Sequence, residues 1–193
     1  VTYKYGLYNS AALLRQLAAI SIYKEDHAMA INYLQQMIEK LPGDLEARMR
    51  YAKLLIVMKQ EQEAFPQLHY IINEIASTEG EKKLKSDALL TLGHLEEQQG
   101  FASEALQHYQ QAITENKLNH DALLAAGVLF TRAGKWNEAR EFLTEASKYF
   151  TRSPLIENNL AVICLNQKQN GEAKYHLENL LVMQPGNVQA TYN

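Results

Sequence analysis

Histidine and cysteine are the residue types to consider first for a metal site or a reactive nucleophile. No two histidines are four residues apart, and none lies in an HExxH motif. A four-residue spacing is what allows two imidazoles on one helix to bind the same zinc ion. We therefore predict no metal site at the six histidines, which are His27, His69, His94, His108, His120 and His176.

Cys164 is the single cysteine, so it cannot close an intrachain disulfide. It lies in the apolar stretch Ala161–Leu165, and a free cysteine in such a setting usually behaves as a small buried hydrophobe. A reactive thiolate needs a helix N-terminus or a cationic neighbour, and the local sequence has neither. Since no glycine-rich phosphate loop is present either, we predict no catalytic residue and no cofactor, and we expect a protein that is not an enzyme.

Charge and composition argue against two classes of partner. The chain has 19 basic and 22 acidic residues and a formal net charge of -3, which gives no field to attract nucleic acid or anionic lipid. The sequence has no apolar run of about 18 residues, so we predict no membrane-spanning helix. The hydrophobic fraction of 47% predicts a folded chain. A single cysteine leaves the compartment open between the cytoplasm and the bacterial periplasm.

A recurring alanine, usually preceded by glutamate, divides the sequence into similar units. Its positions are Ala30, Ala64, Ala105, Ala139 and Ala173, with spacings of 34, 41, 34 and 34 residues. One period with a single excess of seven predicts five units and one insertion. The predicted units are residues 11–44, 45–78, 86–119, 120–153 and 154–187, and the insertion is 79–85.

Each unit has two amphipathic helical patterns separated by turn-forming residues. In the third unit Gly100 ends the first pattern, and Ala105, Tyr109 and Ala112 mark the second at helical spacing. Small residues recur at the eighth position of the unit as well as at the recurring alanine, the twentieth. Small side chains at these positions allow the two helices to approach closely.

The chain resembles the tetratricopeptide repeat family over residues 11–187. That family has large apolar residues at positions 4 and 7, Gly or Ala at 8, Ala at 20, an apolar or aromatic residue at 24, Ala at 27 and Pro at 32. The best matches are Leu14, Leu17, Ala18, Ala30, Leu34 and Pro42 in the first unit, and Leu89, Leu92, Gly93, Ala105, Tyr109 and Ala112 in the third. The fourth unit has Leu123, Gly127, Ala139, Leu143 and Ala146, and the last has Leu160, Ala161, Ala173, Leu177 and Pro185. The resemblance implies an all-α, right-handed superhelical solenoid of antiparallel helix pairs.

The second unit departs most from this pattern. Arg48 stands at its fourth position, and Pro66 falls early in its second helix, where we expect a late start or a kink. The insertion need not be a loop, because Thr78 and Glu81 have the spacing of a capping box. We therefore expect the first helix of the third unit to start about two turns early.

The family resemblance implies that the first helices line a concave groove that holds a protein or peptide. The candidate partner-binding residues are Arg15, Tyr23, Met49, Lys53, Val57, Leu90, His94, Leu124, Val128, Arg132, Asn158 and Val162. Their mixture of positive charge and apolar surface suits a ligand with an acidic residue beside large apolar side chains. The side chains with which one subfamily binds chaperone carboxyl termini are absent at the corresponding positions, which disfavours that activity.

We therefore expect a non-catalytic protein-interaction scaffold or adaptor, as a fragment of a larger assembly protein. The alternative is a substrate-recruiting repeat region of a larger enzyme, secretion or export protein, such as pilus or exopolysaccharide machinery. Residues 1–10 are expected to be the remnant of a preceding helix and residues 188–193 the start of a further one. Apolar ends of this kind predict end-to-end self-association.

Overall fold

The computed structural model describes residues 2–185, with side chains from residue 10 onwards, and this part of the chain has ten α-helices and no strand. The prediction of an all-helical protein with two helices in each of five units is confirmed. The chain divides into two compact units, residues 1–95 and 96–193. The helices are α1 (Thr2–Tyr23), α2 (His27–Lys40), α3 (Leu45–Val57), α4 (Glu61–Asn73), α5 (Glu79–Gln98), α6 (Ala102–Glu115), α7 (His120–Arg132), α8 (Trp136–Ser147), α9 (Pro154–Asn166) and α10 (Asn170–Met183).

The same turn joins the first and second helices of every pair. It contains one residue with positive φ, and the next residue donates its N–H to the carbonyl five residues earlier, as in Gln60 to Leu55 and Gln169 to Cys164, both at 2.8 Å. This bond is characteristic of a Schellman ending, which satisfies carbonyls that the helix leaves unpaired. The positive-φ residues are Glu25, Lys59, Gly100, Gly134 and Lys168, which recur with the same spacing as the alanines.

Side chains cap the starts of several first helices. The carboxylate of Asp44 accepts the N–H of Ala47 at 2.9 Å, and the amide oxygen of Asn119 accepts the N–H of Ala122 at 3.1 Å. Such caps satisfy N–H groups that lack a partner within the helix. A side chain that accepts a hydrogen bond therefore fixes where α3 and α7 start.

The insertion extends α5 as the sequence predicts. Thr78 Oγ1 accepts the N–H of Glu81 at 3.1 Å, and Glu81 Oε2 accepts the N–H groups of Ser77 at 2.8 Å and Thr78 at 2.9 Å. These reciprocal bonds form the predicted capping box. The helix consequently starts at Glu79 and runs through the seven inserted residues.

Close packing within the helix pairs centres on small residues. Ala64 on α4 and Ala139 on α8 are fully buried. Gly127 on α7 faces Leu143 on α8, and a Cβ placed on Gly127 would lie only 2.7 Å from Leu143 Cγ. Protein interiors do not accommodate such an overlap without movement. The eighth and twentieth positions of a unit therefore set how closely its helices approach.

The second pair, α3 and α4, accommodates its unusual residues in two ways. The Arg48 guanidinium lies 3.7 Å from the centre of the Tyr70 ring, and Arg48 Nη1 donates to Gln67 Oε1 at 2.7 Å. A cation–π contact and a hydrogen bond thus occupy the site of an apolar residue. Helix α4 starts at Glu61 and continues through Pro66, so the prediction of a late start was wrong.

The described N-terminal residues do not form a helix of their own. Helix α1 is continuous from Thr2 to Tyr23, so residues 2–10 extend the first helix of the first pair instead of forming a separate remnant. The further helix expected at residues 188–193 lies outside the described residues. Within residues 2–185, no helix has both the length and the apolar character needed to cross a membrane.

Candidate protein-interaction surface

In the first compact unit, most of the predicted partner-binding side chains reach the surface. Tyr23 at the end of α1 is 89% exposed and Val57 at the end of α3 is 61% exposed, and Lys53 is exposed one turn earlier. Met49 is only 4% exposed and belongs to the hydrophobic core of this unit. Its large apolar side chain is removed from water there, so assigning Met49 to a ligand surface was wrong.

The Arg15 side chain forms an ion pair within the first compact unit. Its guanidinium contacts Asp44 Oδ2 at 2.6 Å, and Asp44 also caps α3. This ion pair links α1 to the start of α3.

On α5, Leu90 is half-buried and His94 is exposed.

In the second compact unit, four of the predicted residues lie on two helices that contact each other. Leu124 and Val128 lie one turn apart on α7, and Asn158 and Val162 lie one turn apart on α9. All four side chains are half-buried, and α7 contacts α9. Since residues four apart share a helix face, each helix presents one pair of these side chains, and we call the four residues together the α7–α9 strip.

Arg132 lies at the end of α7 and forms an ion pair with Glu97. Glu97 Oε2 also accepts the hydroxyl hydrogen of Tyr109 at 2.7 Å. Burial, reinforced by this bond to a carboxylate, raises the pKa of Tyr109 well above its usual range. The positive charge expected from Arg132 is therefore balanced by Glu97, which corrects the predicted charge of this surface.

A polar cluster that sequence reasoning missed surrounds Cys164. Arg140 Nη1 donates to Glu172 Oε2 at 2.7 Å, Nη2 donates to Gln167 Oε1 at 2.7 Å, and Nη2 lies 3.4 Å from Cys164 Sγ. The cluster ties α8 to the next helix pair. Arg140 is 24 residues from Cys164 in sequence, so no local motif could reveal this cationic neighbour.

The cluster does not activate the thiol. Burial raises the pKa of Cys164 and outweighs the opposing effect of Arg140, whereas a nucleophilic cysteine needs a lowered pKa. The hydrogen bond from Arg140 lowers the pKa of Glu172. Among the described residues, no group of three or more His, Cys, Asp or Glu side chains could hold a metal ion.

An open cleft of about 620 Å³ lies in the first compact unit between the start of α3 and the start of α5. Asp44, Glu46, Glu81 and Asp87 line it together with Lys83. The sequence analysis did not foresee this cleft, because it depends on where the inserted turns of α5 lie relative to α3.

Known proteins resemble this chain in sequence over one segment and in fold over most of its length. Residues 90–154 match the model of the tetratricopeptide repeat family, whereas the chain matches none of the curated proteins in sequence. The crystal structure of MamA is 14% identical, covers 95% of this chain and 96% of its own, and has a TM-score of 0.72. YrrB, described as a tetratricopeptide repeat protein with an unusual peptide-binding site, is 15% identical, covers 91% and 87%, and has a TM-score of 0.67.

PilF from Pseudomonas aeruginosa is 14% identical to this chain, covers 96% of it and 81% of its own length, and has a TM-score of 0.73. Identities this low indicate a shared fold, while the match over residues 90–154 is a match of sequence. Together with the ten helices of residues 2–185 and their recurring turn, these findings show that the chain has the fold of tetratricopeptide repeat proteins and that residues 90–154 also match that family in sequence.

Proposed function

We propose that this protein is a non-catalytic scaffold that binds a peptide or a segment of another protein on the outward faces of its first helices. The observation that carries the proposal is the α7–α9 strip, where Leu124, Val128 and Val162 remain half-buried on two helices in contact. Partly exposed apolar side chains on adjacent helices offer shallow pockets to an incoming side chain. The buried, protonated thiol of Cys164 supports no nucleophilic chemistry.

The ligand that fits this surface is held mainly by apolar contact. Arg132 at the end of α7 forms an ion pair with Glu97, so its charge contributes little to holding an acidic residue. An exposed ion pair contributes about 0 to 1 kcal/mol, whereas burying a large apolar side chain contributes about 1.5 to 3 kcal/mol. We therefore expect a segment with one or two large apolar side chains, and an acidic neighbour as a secondary feature.

The alternative is that these repeats recruit a substrate for a larger enzyme, secretion or export protein. PilW, described as a widely conserved type IV pilus biogenesis factor, is 17% identical, covers 94% of this chain and 89% of its own, and has a TM-score of 0.64. Its description supports pilus biogenesis as one setting for the same binding surface. Both possibilities require a protein ligand.

The test is to select peptides from a random library on the immobilised protein and to measure the Kd of the best binder by fluorescence anisotropy. Leu124→Asp should weaken binding about tenfold or more, because it places a charge in the apolar strip. Lys53→Ala should weaken it less than about fivefold.

Thr144→Asp is the matched control, because Thr144 is exposed on the second helix α8. Circular dichroism of each variant separates lost binding from lost folding. A Kd that rises with Thr144→Asp and stays constant with Leu124→Asp would move the binding surface to the second helices and contradict the proposal.

A further inference from the structure

Asn170 and Gly171 form the one Asn–Gly pair in the sequence. An asparagine followed by glycine loses its side-chain amide in water more readily than one followed by any other residue, because glycine has no side chain to hinder attack by its own backbone nitrogen. The two residues stand at the start of α10, directly after the turn that joins α9 to α10. The sequence therefore places a reactive amide at a defined point of this helix pair.

The backbone nitrogen of Gly171 has no hydrogen-bond partner among the described residues. The first backbone bond of α10 runs from the Ala173 N–H to the Gln169 carbonyl at 3.0 Å, so the N–H of Gly171 comes before the first paired N–H of the helix. Gln169, the N-cap residue, provides no side-chain bond to the helix start. The first turn of α10 consequently opens more readily than the interior of the helix.

The side chain of Asn170 is also free to react. It is exposed, and it forms no hydrogen bond within residues 10–185. Most other asparagine side chains in that range are held by hydrogen bonds, as Asn159 is by donating to the Leu155 carbonyl at 2.7 Å. Asn73 and Asn158 form no such bond, but glutamate and asparagine follow them in the sequence.

Neither the packing of α10 nor the repeat requires glycine at position 171. A Cβ placed on Gly171 would have nothing within 4 Å. The other second helices have different residues at the two corresponding positions, which are His27–Ala28, Glu61–Gln62, Ala102–Ser103 and Trp136–Asn137. The Asn–Gly pair is therefore a property of α10 alone among the second helices.

The residues on either side of the Asn–Gly pair hold Arg140 of α8. Arg140 Nη1 donates to Glu172 Oε2 at 2.7 Å, and Nη2 donates to Gln169 Oε1. A change in the length of the backbone between Gln169 and Glu172 alters the separation of two side chains that share one guanidinium. Such a change should weaken the link between α8 and the last described helix pair.

We propose that Asn170 is a site of spontaneous deamidation. The backbone nitrogen of Gly171, after losing its proton to hydroxide, attacks Asn170 Cγ; the N–Cγ bond forms, the Cγ–Nδ2 bond breaks, and the amide leaves as ammonia. Water then opens the succinimide ring at either carbonyl, which gives aspartate or isoaspartate. Both products place a negative charge at the positive end of α10, and isoaspartate also adds a methylene group to the backbone between Gln169 and Glu172. The site does not include the α7–α9 strip, so it does not rest on the proposed function.

The test is to incubate the whole 193-residue protein at mildly alkaline pH and to follow each asparagine by peptide mass spectrometry, with isoaspartyl methyltransferase to detect isoaspartate. Asn170 should react more than tenfold faster than Asn158, and its rate should rise with hydroxide concentration. Gly171→Ala is the matched variant, because its new Cβ has nothing within 4 Å, and it should slow the reaction more than tenfold. Equal rates for Asn170 and Asn158, or for Gly171→Ala and the wild type, would overturn the proposal.

The consequence for the link to α8 is tested on aged protein that ion-exchange chromatography has separated from unmodified chains. Backbone amides of α10 should exchange hydrogen more than threefold faster in the isoaspartate form than in the unmodified protein, whereas those of α7 should be unchanged. Asn170→Asp adds the charge without the methylene group and should show no such increase. Unchanged exchange in the isoaspartate form, or an equal increase in Asn170→Asp, would contradict this effect of backbone length.

Discussion

The second helix pair, α3 and α4, and the fourth, α7 and α8, have the same layout but different side chains at key positions. At the fourth position of the unit, Leu123 is buried in the fourth pair, whereas Arg48 lies over Tyr70 in the second. At the eighth position, the fourth pair has Gly127 against Leu143, whereas the second has the fully buried Ala52.

This difference shows that the repeat preserves backbone positions more strictly than side chains. Both pairs place a positive-φ residue at the same point of the turn, Gly134 in one and Lys59 in the other. The family model matches residues 90–154, which include the fourth pair and exclude the second. A helix pair can therefore have the same backbone when its side chains differ from the family pattern, provided that other contacts take the place of the missing ones.

Exchanging the residues at the fourth position should produce the largest effect. Leu123→Arg should lower the free energy of unfolding by about 3 kcal/mol or more, because it buries a charge without a partner. Arg48→Leu should change it by less than about 1 kcal/mol, since the lost contacts with Tyr70 and Gln67 are offset by apolar burial. Urea denaturation measures both, and equal losses would mean that the two sites are equivalent.

The eighth position should give an intermediate effect. Gly127→Ala should destabilise the protein by about 1 to 2 kcal/mol, because the new Cβ would lie 2.7 Å from Leu143 Cγ and 3.2 Å from its backbone nitrogen. Overpacking of this kind outweighs the better helix propensity of alanine, which is about 1 kcal/mol.

Gly171→Ala is the matched control for Gly127→Ala. Gly171 lies in the first turn of α10, and a Cβ there would have nothing within 4 Å, so we expect a gain of up to about 0.5 kcal/mol from helix propensity. If Gly127→Ala also stabilised the protein, Leu143 would be free to move away, and the close approach of α7 and α8 would not depend on glycine.

The turn between the helices should respond with smaller changes. Gly134→Ala should cost about 1 kcal/mol, because φ is +71° at this residue and a side chain is strained in that region. Lys59 has φ of 61°, so Lys59→Gly removes the strain of a side chain in this region but raises the conformational entropy of the unfolded chain. We expect the free energy of unfolding to rise by a few tenths of a kcal/mol. Thermal unfolding of the two variants in parallel tests this, and two losses of equal size would contradict it.

Features that depend on nearby residues were predictable from the sequence, and features that depend on distant ones were not. The capping box of Thr78 and Glu81 lies within four residues and was predicted correctly. The contact between Arg140 and Cys164 spans 24 residues, and no sequence pattern indicates that the two side chains meet. The burial of Met49 likewise depends on how α3 packs in its unit.

The candidate surface was predictable to a similar extent. The repeat period places Leu124 and Val162 on first helices, and these two helices, α7 and α9, contact each other. It could not show that Arg15 and Arg132 would be paired, because Asp44 and Glu97 lie 29 and 35 residues away in sequence. The sequence indicated that Gly100 ends a first helix, and this residue has positive φ, whereas Lys59 gives no sequence signal for its positive φ.

The smallest expected effect is a difference between two helix caps in how their contribution to stability depends on pH. Asn119 caps α7 with a neutral amide, whereas Glu81 accepts N–H groups at the start of α5 with a carboxylate. The hydrogen bond from the Thr78 N–H, followed by that from the Ser77 N–H, lowers the pKa of Glu81. Its contribution to stability is therefore full above the pKa of glutamate in the unfolded chain, about 4.3, and is lost as pH falls through the lower folded pKa. We expect the thermal midpoint of Glu81→Gln to lie below that of the wild type at pH 7 and to converge with it at low pH. Glu141→Gln is the control, because Glu141 is exposed in the middle of α8, and it should show no such convergence. If the difference for Glu81→Gln were the same at every pH, the charge of this cap would not be what stabilises α5.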